Sequence, residues 1–202
     1  MHLYESHYAK LQFERAGLFK AIQDKYPART VLYPGCSIHV TPSLYFPHVV
    51  YIDQSETSAQ FFAKETSLLE FVSRNKRYKP SAYVRFLQQD YTQPLPLREG
   101  TFDLLLSLFA GGIALSCSKY LKPGGFLLTN NHRGDALDAC NHPQLHLRAI
   151  VQFQKGRYIL NEKPVLERHL PVQKRSHPSL RRAQQGWEYI ENELYYVFER
   201  SR

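Results

Sequence analysis

Five short apolar runs, each ended by a turn and most separated by enough residues for a helix, limit what this chain can fold into. They are Thr30-Val31-Leu32-Tyr33, Val49-Val50-Tyr51-Ile52, and the runs 83–87, 102–108 and 126–129. After the second, Ser55 stands where a helix N-cap is needed. Phe62, Leu69 and Val72 then repeat along one helical face, with Phe61 and Leu68 beside it. A strand followed by a helix and another strand in one sheet gives parallel pairing with the helices on the faces. The run 102–108 is apolar nearly throughout, as a strand covered on both sides must be.

The rest of the chain fits around this frame. Residues 3–25 read as an amphipathic helix with Leu11, Arg15, Leu18 and Ile22 at three- and four-residue steps, ending before Pro27. Two prolines and a glycine make 92–100 a loop. A short helix over 111–120 is stopped by Pro123-Gly124-Gly125, and another covers 134–140. A sixth strand is expected over 145–153 and a last one over 193–199. The 202 residues are read as one domain with an N-terminal helical segment, 1–27.

Composition excludes several classes. No run approaches the roughly 18 apolar residues of a membrane span, and the first residues lack the basic-then-apolar layout of a secretion signal, so a cytoplasmic protein is expected. The three cysteines, Cys36, Cys117 and Cys140, form no disulfide framework. Cys36 and His39 have a Cys-x-x-His spacing without a second pair, so no metal is expected. The net charge of +8 is uneven. Between Lys155 and Arg182 eight Lys/Arg face only Glu162 and Glu167, which supplies +6 of it. This basic insertion, 154–187, reads as a solvated loop or lid, or as a patch for nucleic acid or another acidic partner.

In an open parallel sheet, ligands lie beyond the carboxyl ends of the strands. The first strand ends in Tyr33-Pro34-Gly35-Cys36-Ser37, where Gly35 allows a sharp turn and a close backbone approach. The second ends in Asp53, followed by Gln54, and a carboxylate there suits the two hydroxyls of a ribose. The third leads into Gln89, Asp90 and Tyr91, and the fourth ends in Ser107, Leu108 and Phe109. Together they form a row of polar groups suited to a nucleoside.

This series resembles the class I S-adenosylmethionine-dependent methyltransferases over about residues 28–135. The strings around Thr101-Phe102-Asp103-Leu104 and Tyr120-Leu121-Lys122-Pro123-Gly124-Gly125 are similar to that family's fourth- and fifth-strand phrases. The string 33–43 and the run 130–136 are also similar to a small bacterial group of methyltransferases without an assigned substrate. The resemblance implies a Rossmann-like, seven-stranded, mostly parallel sheet with helices on both faces and the last strand antiparallel. It implies S-adenosyl-L-methionine as cofactor and methyl transfer as the reaction. The methionine part would lie against Tyr33, Gly35, Cys36 and Ser37. The ribose would meet Asp53, and the adenine would lie by Gln54, Gln89, Asp90 and Tyr91. Ser107, Leu108 and Phe109 would line the fourth strand end, Phe109 as a wall of the methyl pocket or as core packing.

The chain departs from the pattern at Tyr33-Pro34, where an acid is common, and at Ser37, where a second glycine is usual. It also lacks an Asn/Asp-Pro-Pro-aromatic sequence after the fourth strand, which argues against transfer to nucleobase or glutamine amines by that arrangement. The acceptor is unassigned. If a base is needed, His39 and His132 are the histidines placed at strand ends, and each also reads as a loop residue bonded to backbone. Two other readings remain: a non-catalytic module binding S-adenosylmethionine or RNA, and, less favoured, a nicotinamide-dependent oxidoreductase. The single glycine of the first turn disfavours the latter, since a dinucleotide pyrophosphate needs close backbone approach at several positions.

Overall fold

In the computed structural model, residues 1–10, 14–162, 179–183, 186–190 and 194–201 are described, the side chains of 179–190 excepted. Thr30–Pro34 (β1), His48–Asp53 (β2), Tyr83–Gln88 (β3), Phe102–Ser107 (β4) and Leu121–Thr129 (β5) are the five runs, now placed side by side as parallel strands. Leu145–Gln154 (β6), Arg157–Asn161 (β7) and Leu194–Arg200 (β10) extend the sheet to the order β3-β2-β1-β4-β5-β10-β6-β7. β10 lies antiparallel between β5 and β6, and β7 pairs antiparallel with β6. Ser179–Ala183 (β8) and Gly186–Ile190 (β9) form a separate antiparallel pair.

The expected Rossmann-like sheet is present with eight strands rather than seven. The additional strand is β7, at the start of the stretch read as a basic insertion. Its Tyr158 and Leu160 pack partly buried against the core, while Arg157, Ile159 and Asn161 face out. That alternation was hidden by the charge around it. Residues 163–178, with much of the insertion's charge, lie outside the described residues, and so does the expectation of a nucleic-acid or acidic partner there.

Side-chain alternation divides the core into two layers. Val31, Tyr33, Val49, Tyr51, Leu104 and Leu106 pack on one face, beneath Ala16–Lys25 (α2), Glu56–Phe62 (α3) and Glu65–Asn75 (α4). Leu32, Val50, Ile52, Leu105 and Leu127 pack on the other, beneath Ile113–Cys117 (α5) and Asp135–Asn141 (α6). Both sets are the period-2 positions of strands buried on two sides. Asp103 locks β1 beside β4: its carboxylate accepts from Arg29 N and Thr30 N at 2.8 Å each and pairs with Lys122.

Three expected helices differ in detail. Residues 3–25 are not one helix: a helical stretch over His2–Tyr4 (α1) and Glu5–Ala9 precedes α2, and Arg15 between them is left-handed, φ 52°. The helix after Ser55 breaks at Lys64 into α3 and α4, and the 111–120 helix is shortened to α5 followed by a turn over Ser118–Tyr120. Ser55 is the N-cap as expected, its Oγ accepting from Ser58 N at 3.2 Å. No helix among the described residues is long and apolar enough to cross a membrane.

Candidate functional site

The carboxyl ends of β1 to β5 meet on one edge of the sheet, and hydrogen bonds tie their loops together. Gly35, at φ 64°, turns the chain out of β1, with Gly35 N bonded to Ile52 O at 2.8 Å. A Cβ there would stand 2.6 Å from Ala110 Cβ, so the β1 turn and the β4 loop touch through the missing side chain. Ser37 also takes a left-handed backbone, φ 48°, the conformation a glycine would adopt most easily. What holds it there is Asp53: Ser37 N donates to Asp53 Oδ2 at 2.8 Å. Ser55 N donates to Asp53 Oδ1 at 2.9 Å. Both carboxylate oxygens are therefore fixed by backbone, and each keeps a lone pair, since an ionised carboxylate has about four acceptor positions.

Further along the edge, Gln89 N bonds to Asp53 O at 3.2 Å, while the Gln54 and Gln89 side chains are exposed. Asp90 forms a tight turn: its Oδ1 accepts from Thr92 N at 2.9 Å and Thr92 Oγ1 at 2.8 Å. Those bonds lower its pKa. Tyr91 crosses to the β4 loop, its OH donating to Gly111 O at 3.1 Å. So Gly35, Ser37, Asp53, Gln89, Asp90 and Tyr91 converge on one rim.

The other expected site residues point elsewhere. Tyr33 and Cys36 are buried in the core, and Tyr33 OH bonds His39 Nδ1 at 3.0 Å. Leu108 packs in the layer under α2. Ser107 faces the opposite layer, toward Asp135. Asp135 Oδ1 accepts from Ala114 N at 2.9 Å and so caps α5, the neighbouring helix, rather than its own. Asn131 performs that task for α6, Ala136 N donating to its Oδ1 at 3.1 Å. Ser107 Oγ and Asp135 Oδ2 are buried and make no hydrogen bond of good geometry among the described residues; burial raises the Asp135 pKa, and the Ser107 and Thr129 hydroxyls close to the carboxylate oppose part of that rise.

His39 is 2% exposed, and both its ring nitrogens are engaged. Nδ1 meets Tyr33 OH, and Nε2 reaches Glu14 O at 3.2 Å. Tyr8 stacks on the imidazole at 4.5 Å between centroids. Burial, reinforced by the nearby Arg15 charge, lowers the His39 pKa to about 3. It is a neutral joint between the N-terminal segment and the β1 turn. His132 sits differently, its ring 6.0 Å from Phe109 on the β5 side of the edge.

Phe109 was an expected residue of this edge, but its backbone and its neighbours Asn130, Arg15 and Tyr8 were not foreseen. Phe109 is left-handed at φ 60°, unusual for so large a side chain, and Phe109 N donates to Asn130 Oδ1 at 3.2 Å. Arg15 is 6% exposed, its Nε donates to Tyr195 OH at 2.9 Å, and its guanidinium stands 4.3 Å from the centroid of the Phe109 ring. Tyr8, with its pKa raised mainly by burial, brings its hydroxyl to Ser37. A charged residue on the apolar stripe Leu11, Arg15, Leu18, Ile22 was the available signal for Arg15. Tyr8 gave none, and Asn130 was marked only as the first residue of the run 130–136.

The sheet order is that of the Rossmann-like fold of the class I S-adenosylmethionine-dependent methyltransferases. Among solved structures, the N-methyltransferase NodS of Bradyrhizobium japonicum, in complex with S-adenosyl-L-homocysteine, aligns over 95% of this chain and 88% of its own, with 14% identity and a TM-score of 0.54. A S-adenosylmethionine-dependent methyltransferase of Thermotoga maritima aligns over 100% and 95%, with 13% identity and a TM-score of 0.53. A chain from Methanococcus maripaludis is matched over 63% of this one and only 58% of its own, at 14% identity and TM-score 0.47. At these identities the likeness is one of fold. No protein-family model and no curated protein sequence matches the chain.

Proposed function

We propose that this protein binds S-adenosyl-L-methionine across the carboxyl ends of β1 to β4 and transfers its methyl group to an acceptor. The observation that carries this reading is the Asp53 carboxylate, held by Ser37 N and Ser55 N with lone pairs left over. Two vicinal ribose hydroxyls are the donors that such a group accepts without rearrangement. The residues on the rim suit the rest of the cofactor. Gly35 and Ser37 offer backbone to the methionine part, and Gln54, Gln89, Asp90 and Tyr91 offer acceptors, amides and a ring to the adenine. Gly35 to Ser37 supplies the close approach without the second glycine, because Asp53 holds Ser37 in the left-handed conformation.

When bound, the cofactor supplies an activated methyl group on a sulfonium, so the protein's task is alignment and exclusion of water. Phe109, set by its unusual backbone, forms an apolar wall at the β4 end. Tyr8 covers the β1 turn. His132, beside Phe109, is placed to take a proton from an acceptor that carries one, and His39 is withheld from that role by its two engaged nitrogens. Calorimetry with S-adenosyl-L-homocysteine tests the proposal. Saturable binding at micromolar to millimolar ligand is expected, with a rise in melting temperature by mass action. A flat titration at millimolar ligand refutes it.

A further inference from the structure

Asp135 is a buried acid to which methyl-donor binding alone gives no task. Asp135, Ser107 and Thr129 are each 0% exposed. Burial raises the Asp135 pKa, and the Ser107 and Thr129 hydroxyls with the Ile113 and Ala114 amides oppose only part of the rise. What the carboxyl bonds is a helix amide. Ala114 N, which donates to Asp135 Oδ1, is the second amide of α5, the one that an N-cap side chain ordinarily serves. Ser55 does so for α3. α5 has Gly112 as its N-cap instead, with no side chain to offer and a left-handed backbone, φ 74°.

A local cap would steady α5 alone. A cap sent from α6 ties the loop after β4 to the loop after β5, and other contacts join the same two loops. Phe109 N donates to the buried Asn130 Oδ1 at 3.2 Å. Gly111 lies so near Arg133 that a Cβ on it would stand 2.7 Å from Arg133 Cβ. At the near end of the loop, Ser107 pairs with Thr129 in the β4–β5 register, and both hydroxyls lie close to the Asp135 carboxylate. Asp135 therefore meets both ends of the segment from Ser107 to Ala114. Phe109, inside that segment, is left-handed at φ 60°. Such a backbone costs about 1–2 kcal/mol in a non-glycine residue and persists only where its surroundings over-determine it. Asn131 and Arg133 on the facing loop are left-handed as well, φ 58° and 53°.

We propose that Asp135 is a positioning residue of the methyl pocket: it fastens the loop after β4 to the loop after β5 and so sets where the Phe109 ring stands. This rests on the methyltransferase reading above, which makes Phe109 a wall of that pocket. The Asp53 half of the crevice stands on other strands and does not depend on it.

The test compares S-adenosyl-L-methionine with S-adenosyl-L-homocysteine, which lacks only the methyl group, by calorimetry on the full-length protein and three variants. Asp135→Ala is expected to weaken S-adenosyl-L-methionine by about fivefold and S-adenosyl-L-homocysteine by less than about twofold, a difference on the scale of one hydrogen bond. Asp135→Asn keeps an oxygen for Ala114 N and has a donor for Ser107, so it restores the methyl donor's affinity to within about twofold of the parent. Ser107→Ala cuts only the near end. It gives the same split on a smaller scale, and it decides the question where Asp135→Ala does not fold. Equal weakening of the two ligands overturns the proposal, because the residue then serves the fold as a whole. An unchanged preference between them overturns it too. So does an Asp135→Asn that behaves as Asp135→Ala, since the buried charge is then acting on the sulfonium. A parent that binds neither ligand refutes the methyltransferase reading alone, and hydrogen exchange then tests the fastening itself. The Phe109 amide, bonded to Asn130 rather than Asp135, exchanges about tenfold faster in Asp135→Ala than in Asp135→Asn, with β1 amides unchanged. Equal exchange at Phe109 overturns the proposal.

Discussion

Acidification should weaken this protein through a single imidazole. His39 is buried with Arg15 nearby, and both oppose an added proton; Nδ1 is occupied by the Tyr33 hydroxyl, and the Glu14 carbonyl on Nε2 offsets only part of the effect. Its pKa falls from the ordinary 6.5 to about 3. The unfolded chain therefore takes up the proton first. Stability from this residue is complete above pH 6.5 and drains away as the pH falls toward 3. Each pH unit inside that window removes about 1.4 kcal/mol, so lowering the pH from 7.5 to 5 costs about 2 kcal/mol. For a chain of this size that is about 4–8 °C in melting temperature. The assay is calorimetric or circular-dichroism melting at half-unit steps from pH 7.5 to 4.5, on the parent and on His39→Gln. The variant starts less stable, having lost the fit of the ring between Tyr8 and Phe19, but it should melt with a flatter pH dependence. His48 and His142, also lowered by burial, contribute equally to both proteins and cancel in the difference. Parallel curves for the two proteins would refute the reasoning.

Two further outcomes follow from particular hydrogen bonds. Asp53→Asn leaves the side chain one accepting oxygen for Ser37 N, Ser55 N and any ribose hydroxyl together. Binding of S-adenosyl-L-homocysteine should weaken by about 1–3 kcal/mol, measured by calorimetry, and an unchanged affinity contradicts the ribose assignment. At Asp135, burial raises the pKa, so the ionised form is a cost in the folded state that grows as the pH rises above the unfolded value. Asp135→Asn keeps an oxygen for Ala114 N and removes the buried charge, while its NH2 group can donate to Ser107 Oγ in place of the acceptor the hydroxyl now faces. Thermal melts should show the variant equal or more stable at pH 7, its advantage shrinking toward pH 4. A variant that melts lower at pH 7 shows the carboxylate to be better satisfied than its geometry indicates.

The sheet was legible because its strands are buried on both sides, and continuous apolar runs such as 102–108 have few other uses. The rim was legible for a related reason: Gly35, Asp53 and Asp90 act at the points where runs end, so one-dimensional position reported three-dimensional place. What escaped depends on contacts between distant parts of the chain. The left-handed break at Arg15 is set by Tyr195 and Phe109, neither near in sequence, and helical periodicity runs through it undisturbed. β7 escaped because its two inward residues, Tyr158 and Leu160, stand in a short run inside a stretch whose charged composition suggested solvent. Ser107 and Leu108 were read as one strand end, but neighbouring strand residues face opposite layers, and one went under α5 while the other went under α2.

The position of β10 has a consequence for the order in which this edge of the sheet is assembled. The strand made last among those described is inserted between two made earlier, β5 and β6, and Tyr195 on it is the anchor for a side chain 180 residues upstream. A nascent chain can assemble the Gly35–Asp53–Asp90 rim early, while the slot for β10 stands vacant and Arg15 lacks the Tyr195 hydroxyl. Closure of so long a loop is slow and comes near the end of folding. The contact of Arg15 with Tyr195 thus cannot exist in a partly synthesised molecule, whereas the bonds among Gly35, Ser37 and Asp53 can.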